Sequence, residues 1–385
     1  MKKFFVFLLV FVLLILSQTC DDNNEVNDES EFEAGITCYP DFGTKYTEFK
    51  FSISILSDTD TLENTDNFQI RWDFDSDGTY DTDWIDSFSI THRFNTPGTY
   101  ETEVTLKDSL GDLNESSIHV YVQEMIQITN NESGSFQGNI DWCPDGSNRI
   151  AFDWRSTNNL NQIYVVEYPV GQPVQITTAN PNMFHNFPEW SPDGEKICYE
   201  ANNNIYIIEL ATGQIQEIPG YGMTRHWSPD GKWIMMYHEK TNLYDVEGDS
   251  LVLFSNKAYE SCWSPDGQYL ALYRKLAYPE VSDKLEIIDF SSRSILKEFT
   301  VSDIGFKIDW SPDGKWIMLG FEPDNHLLIL NYETGKIYTG ILEGFDHTWY
   351  PTWSSDGNLI AFEAELADSN RKMEIWAVTA PEFMR

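Results

Sequence analysis

The chain is short of positive charge: 25 lysines and arginines face 62 aspartates and glutamates, for a formal net charge of −37 over 385 residues. So acidic a surface repels phosphate backbones, which excludes nucleic acid as a partner and favours solubility and cation binding. Cysteine is scarce as well. Cys38, Cys143, Cys198 and Cys262 show neither the C-x-x-C spacing of a zinc or redox motif nor the density of a disulfide framework. They read as small buried residues, with one bridge left open. No G-x-S-x-G nucleophile elbow, H-E-x-x-H helix motif or Gly-rich phosphate loop occurs, and these absences weigh against a peptidase or a phosphate-binding enzyme.

Lys2 and Lys3 precede an unbroken apolar run from Phe4 to Leu16. Thirteen residues are too few to span a bilayer comfortably, but they suit the apolar region of a secretory signal. Cys20 follows in Leu16-Ser17-Gln18-Thr19-Cys20, and Asp21-Asp22-Asn23-Asn24 comes next. This resembles a bacterial lipoprotein signal, although Ser17 and Thr19 stand where that pattern has leucine and a small residue. The resemblance implies that Cys20 is acylated and becomes the new N-terminus. The expected layout is a signal over 1–19, an acidic tether over 20–34, one domain over 35–123 and another over 124–385. Residues 21–124 hold 25 acidic side chains against 5 basic ones. The chain is then anchored to a membrane without spanning it, as an outer-membrane or cell-surface lipoprotein facing either the periplasm or the exterior.

Between Gly35 and Val122, apolar and polar residues alternate over Phe49–Ile55, Tyr100–Leu106 and Ser117–Val122. That period predicts an antiparallel sandwich with one wet face per sheet. Trp72-Asp73-Phe74-Asp75-Ser76-Asp77-Gly78 and His92-Arg93-Phe94-Asn95-Thr96-Pro97-Gly98-Thr99-Tyr100 together resemble the PKD type of immunoglobulin-like domain, which implies a non-catalytic spacer or adhesive module. Asp73, Asp75, Asp77, Thr79 and Asp81 also match the start of a calcium loop, with Gly78 at its sharp turn. Position twelve is Trp84 rather than the bidentate glutamate, and Asp83 or Asp86 would have to substitute. The same aspartates also suit a tight turn with no cation.

One motif recurs six times, at Trp142-Cys143-Pro144-Asp145-Gly146, Trp190–Gly194, Trp227–Gly231, Trp263–Gly267, Trp310–Gly314 and Trp353-Ser354-Ser355-Asp356-Gly357. The aspartates are 48, 37, 36, 47 and 43 residues apart. Proline presets one turn dihedral, aspartate bonds the local backbone and glycine supplies positive φ. An apolar strand follows each turn, and four strands in about 43 residues make one propeller blade. The spare strand Met125–Thr129 has its natural place beside the last blade. These repeats resemble the TolB-type propeller family. The fold expected is therefore all-β: an immunoglobulin-like sandwich followed by a six-bladed propeller.

The resemblance implies a protein-binding or scaffolding role in the cell envelope, for a monomer with a protein or polysaccharide partner. Its relatives include lyases that build a metal site from histidines. His185, His226 and His347 are the candidates here, at unequal offsets from their tryptophans. Asp141, Glu189, His226, Cys262, Asp309 and Thr352 precede the six tryptophans and face the channel, where three carboxylates suit a cation or a basic peptide. Phe184, His185, Phe187, His226, His347, Trp349 and Tyr350 are the candidate binding rim. A non-catalytic, lipid-anchored binding protein is the favoured reading, and a glycan-active lyase with a histidine-lined metal site is the alternative.

Overall fold

The computed structural model describes residues 32–57, 68–130, 136–155, 160–169, 171–177, 183–221, 223–237, 240–255, 260–274, 283–301, 307–322, 326–366 and 373–385. Cys20, the expected signal and most of the tether lie outside these residues. Among the described residues the only helical element is a 3-10 turn at Glu382–Met384, and no helix is long and apolar enough to cross a membrane. Everything else is strand, turn or irregular chain.

The alternating segments form the sandwich. Phe49, Phe51 and Ile55 point inward and Lys50 and Ser54 outward along Phe49–Ser57. That strand pairs with Phe32–Tyr39 and Ser89–His92. The opposite sheet holds Gln69–Asp73, Gly98–Lys107 and Leu113–Gln123. Trp72, Phe74, Phe94, Val104 and Val120 fill the space between.

Among the described residues the remainder builds five four-stranded sheets and a further group of four strands, fifth in chain order, that belongs to a larger sheet. Their innermost strands are Phe136–Trp142, His185–Trp190, Met223–Trp227, Glu260–Trp263, Asp309–Trp310 and Phe345–Trp353. Each inner strand contacts the next in chain order, and the sixth contacts the first. The sixth sheet takes its outer strand from Met125–Gln127, far back in the chain, which pairs with Met373–Thr379. The arrangement is propeller-like.

The repeated turn explains why each sheet starts as it does. Ser191 Oγ donates to Asp193 Oδ1 at 2.6 Å and accepts from Lys196 N at 2.9 Å, while Asp193 Oδ1 accepts from Glu195 N at 3.0 Å. Gly194 takes φ 66°, which costs a glycine little. The same bonds recur at Ser228, Ser264, Ser311 and Ser354. Partial burial opposes the charge on Asp193, but the Ser191 hydroxyl and Glu195 N–H outweigh it and hold the carboxyl below its ordinary range. Each motif tryptophan is buried and packs with the sheet before its own. Trp190 lies with Cys143, Ala151 and Ile163, Trp310 with Cys262 and Leu285, and Trp142 with Ala361 and Ile375 of the sixth sheet. Burying one such ring removes roughly 200 Å² from water, worth about 4–5 kcal/mol before entropic costs. Cys143, Cys198 and Cys262 are buried and, like Cys38, free.

The two expected domains are not merely successive. Phe42–Thr44 inserts between Leu113–Gln123 of the sandwich and Ile337–Ile341 of the fifth sheet, parallel to both, so one eight-stranded sheet crosses the boundary. Phe42 is fully buried among Trp316, Met318, Leu327 and Phe345. Gly340 permits this approach, because a Cβ there would stand 1.9 Å from the Phe42 ring. Gly340→Val should therefore unseat Phe42 and cost about 1–3 kcal/mol, read as a lower denaturation midpoint with earlier proteolysis between the sandwich and the first sheet. A midpoint equal to that of the unaltered chain would show that Phe42 does not fasten the two parts.

Candidate functional site

Because each inner strand ends on its motif tryptophan, the residue just before it is carried to the centre of the ring. Asp141, Glu189, His226, Cys262, Asp309 and Thr352 line one cavity of about 370 Å³, together with the six tryptophans and the residues at the motif's proline position. Some of these side chains bind the next sheet. Asp141 Oδ2 accepts from Trp190 N at 2.8 Å, Asp309 Oδ2 accepts from Trp353 N at 3.0 Å, and Thr352 Oγ1 donates to Asp309 Oδ2 at 3.2 Å. His226 Nδ1 lies 3.4 Å from Glu189 Oε2.

A lysine that sequence reasoning missed completes this site. Lys307 is 3% exposed, and its ammonium donates to Ile140 O at 2.8 Å and Asp141 Oδ1 at 3.3 Å. It comes from the entry to the fifth sheet and reaches the first. Burial disfavours its charge, but Glu189, Asp141 and Asp309 outweigh that and raise its pKa. Burial likewise dominates Asp309, pushed up to about 6 despite Lys307 and the Trp353 N–H, and it raises Asp141. One cation thus faces three carboxylates. The signal in the sequence was slight: a single lysine three residues before a motif tryptophan, with no spacing rule behind it.

The proposed rim divides between two ends of the ring. Phe184 is 42% exposed and precedes an inner strand. His185 is buried instead, with Nδ1 3.0 Å from Gln162 Oε1 and its ring edge-on to Tyr199, and burial lowers its pKa. It is a packing residue, because the strand turns it between the first and second sheets. Phe187, Trp349 and Tyr350 are half-buried. Phe187 and Tyr350 have left-handed φ of 55° and 48°, as Asn139 does at 49°, each three residues before its tryptophan and each at a register shift. These bulges re-aim the strand. The His347 side chain lies outside the described residues. His185 and His226 sit at opposite ends of their strands, so no shared histidine site forms between them.

In the sandwich, Asp73, Asp75 and Asp81 bring oxygens within 4.8 Å of one another, the one such set of three potential metal ligands among the described residues. Asp73 Oδ2 accepts from Gly78 N at 3.0 Å, while its Oδ1 is buried without a partner. Asp77 is not in the set: its Oδ1 accepts from Thr79 N at 2.7 Å, closing a local turn. Trp84 faces the cations of Arg71 and Lys107. Of the expected calcium residues, Asp73, Asp75 and Asp81 thus come together, and Asp77 lies outside the set.

Residues 37–122 match the PKD domain. Residues 161–277 match the dipeptidyl peptidase IV N-terminal region. No curated protein matches the chain. Among solved structures, TolB from Acinetobacter baumannii is 14% identical, covering 91% of this chain and 80% of its own, with a TM-score of 0.42. An oligogalacturonate lyase in complex with manganese is 12% identical, covering 91% and 98%, at 0.49. Hydrazine synthase of Kuenenia stuttgartiensis is 16% identical, covering 58% and 72%, at 0.45.

Lys307 provides the sharpest test of the cavity. Lys307→Met should cost about 3–5 kcal/mol near neutral pH, because it leaves buried carboxylates uncompensated. Asp309, with its pKa raised to about 6, favours the fold fully below its unfolded value and loses that contribution as pH rises through 6. The penalty of Lys307→Met should therefore fade toward pH 4 and grow above pH 6, measured as denaturation midpoints across that range. A penalty independent of pH would refute the compensation.

Proposed function

We propose that this chain is an exported, lipid-anchored, non-catalytic binding protein of the bacterial cell envelope. In this reading its six sheets are the blades of one closed propeller, which receives a partner protein through a basic group. The observation that carries the reading is the cavity itself. Three carboxylates of its wall share one buried lysine, and the chain around it is strongly acidic, so the potential favours a lysine or arginine side chain entering from the turn side. His226 and Glu189 are the groups placed to meet it. The shared sheet through Phe42–Thr44 supports a rigid mount for the propeller, with the acylated Cys20 and its tether holding the whole at a membrane.

A pull-down from solubilised envelope with the full chain tests this. Glu189→Gln should weaken capture of the partner at least tenfold, and raised salt should weaken it further. Retention of a partner equally by Glu189→Gln would remove the cavity from the reading. Cleavage of acidic polysaccharide by the unaltered chain would favour the lyase alternative instead.

The sandwich loop is proposed to bind calcium through Asp73, Asp75 and Asp81, with the unpartnered Asp73 Oδ1 supporting it. An all-oxygen set with few ligands implies affinity at the weak, extracellular end of the range. Millimolar calcium should raise the melting temperature of chelator-treated protein by a few degrees, and Asp73→Asn should abolish that rise. Identical melting of the two proteins in calcium would count against it.

A further inference from the structure

The junction between the sixth and first sheets contains buried acceptors that have no donors. Glu363, on Leu359–Leu366 of the sixth sheet, is fully buried, and neither of its carboxylate oxygens has a hydrogen-bond partner. Asn139, on the inner strand of the first sheet, adjoins it. The Asn139 peptide N–H is near enough to ease the Glu363 charge but makes no hydrogen bond with it. Its side-chain Nδ2 donates to Asp153 Oδ2 at 2.6 Å, and its Oδ1 is buried and unpartnered. Asp153 is itself fully buried, but its oxygens are served: Asn161 Nδ2 donates to Oδ1 and Phe187 N to Oδ2, each at 3.2 Å, and the Arg155 charge lies nearby. Burial, then the Asp153 charge, pushes the Glu363 carboxyl well above its ordinary range.

Three orphaned buried oxygens on contacting strands are costly, since each unpaired buried acceptor forfeits the hydrogen bond it makes in water and an unpaired carboxylate forfeits more. A proton on Glu363 relieves two of them, the oxygen that carries it and the Asn139 Oδ1 that can accept it, and leaves the other carboxylate oxygen bare. A cation serves all of them together. The donors are carboxylate and amide oxygens only, with no sulfur or imidazole among them, which selects hard ions such as calcium, magnesium or manganese over zinc or copper. We propose that Glu363 and Asn139 Oδ1 hold a hard divalent cation, with Asp153 positioning Asn139 and adding negative charge, and that this cation clamps the sixth sheet to the first. The location gives it a purpose. The inner strand of the first sheet contacts strands of the sixth, so the clamp lies on the junction where the two ends of the ring meet. This site is separate from the turn-side cavity and does not depend on the binding role proposed for it.

The test uses the full chain carrying Asp73→Asn and Asp75→Asn, so that the sandwich loop does not contribute, stripped with chelator and titrated with Mn²⁺. We expect uptake of one equivalent, seen as loss of the free Mn²⁺ electron paramagnetic resonance signal, and a raised melting temperature. Adding Glu363→Gln should weaken uptake at least tenfold. Asn139→Ala should weaken it severalfold, and serves as the second variant if Glu363→Gln does not fold. No uptake by the folded Asp73→Asn/Asp75→Asn chain, or affinity unchanged by both further variants, overturns the proposal. So does melting that falls as pH rises through neutrality equally with and without Mn²⁺, since that is the behaviour of a carboxyl kept protonated.

Discussion

Each sheet of the ring is fixed by the tryptophan that belongs to its successor. The indole lies on the apolar face of the preceding sheet, and at two junctions the same residue's N–H is bound by a carboxylate of that sheet, Asp141 for Trp190 and Asp309 for Trp353. Area burial supplies the energy and the buried hydrogen bond supplies the angle. The Ser–Asp lock after the tryptophan then starts the second strand in a fixed direction. Remove that coupling and the central cavity has no wall, because its lining residues are the ones that stand immediately before the tryptophans.

The same economy explains the polarity of the centre. Asp141 is buried and Asp309 half-buried by their role in joining sheets, which makes their ionised forms costly. Lys307 offsets this by placing one ammonium among three carboxylates, and its long stem lets it cross from the fifth sheet to the first. What remains is a basin with excess negative charge, a consequence of how the ring is joined. The recognition we propose uses that excess.

The sandwich is coupled to the ring by backbone pairing as well as by the buried Phe42 side chain. Asp41 strengthens the parallel insertion: its N–H donates to Thr339 O at 3.0 Å and its Oδ2 accepts from Thr339 N at 2.9 Å. Such a connection resists hinge motion, since rotation would break ladder bonds in a buried sheet. The outer edge of the fifth sheet is covered at the same time, which removes one site for unwanted strand pairing.

The six turns, the alternating strands of the sandwich and the displaced strand Met125–Gln127 were legible in the sequence because each depends on short-range chemistry. Proline and glycine set local dihedrals, a Ser–Asp pair binds its own turn, and period-two alternation marks a wetted sheet. The channel position of Asp141, Glu189, His226, Cys262, Asp309 and Thr352 followed from the motif. The burial of His185, the place of Asp77 outside the aspartate set, the insertion of Phe42–Thr44, Lys307 and the Glu363–Asn139 pair did not follow. Parallel pairing leaves no hairpin signal, and a buried charge is recognisable only by partners distant in sequence. The chain alone determined which segments are strands and where they turn. The tertiary structure decided which charges meet, because that depends on sheets packing against one another and bringing residues more than 150 positions apart, such as Asp141 and Lys307, within 3.3 Å.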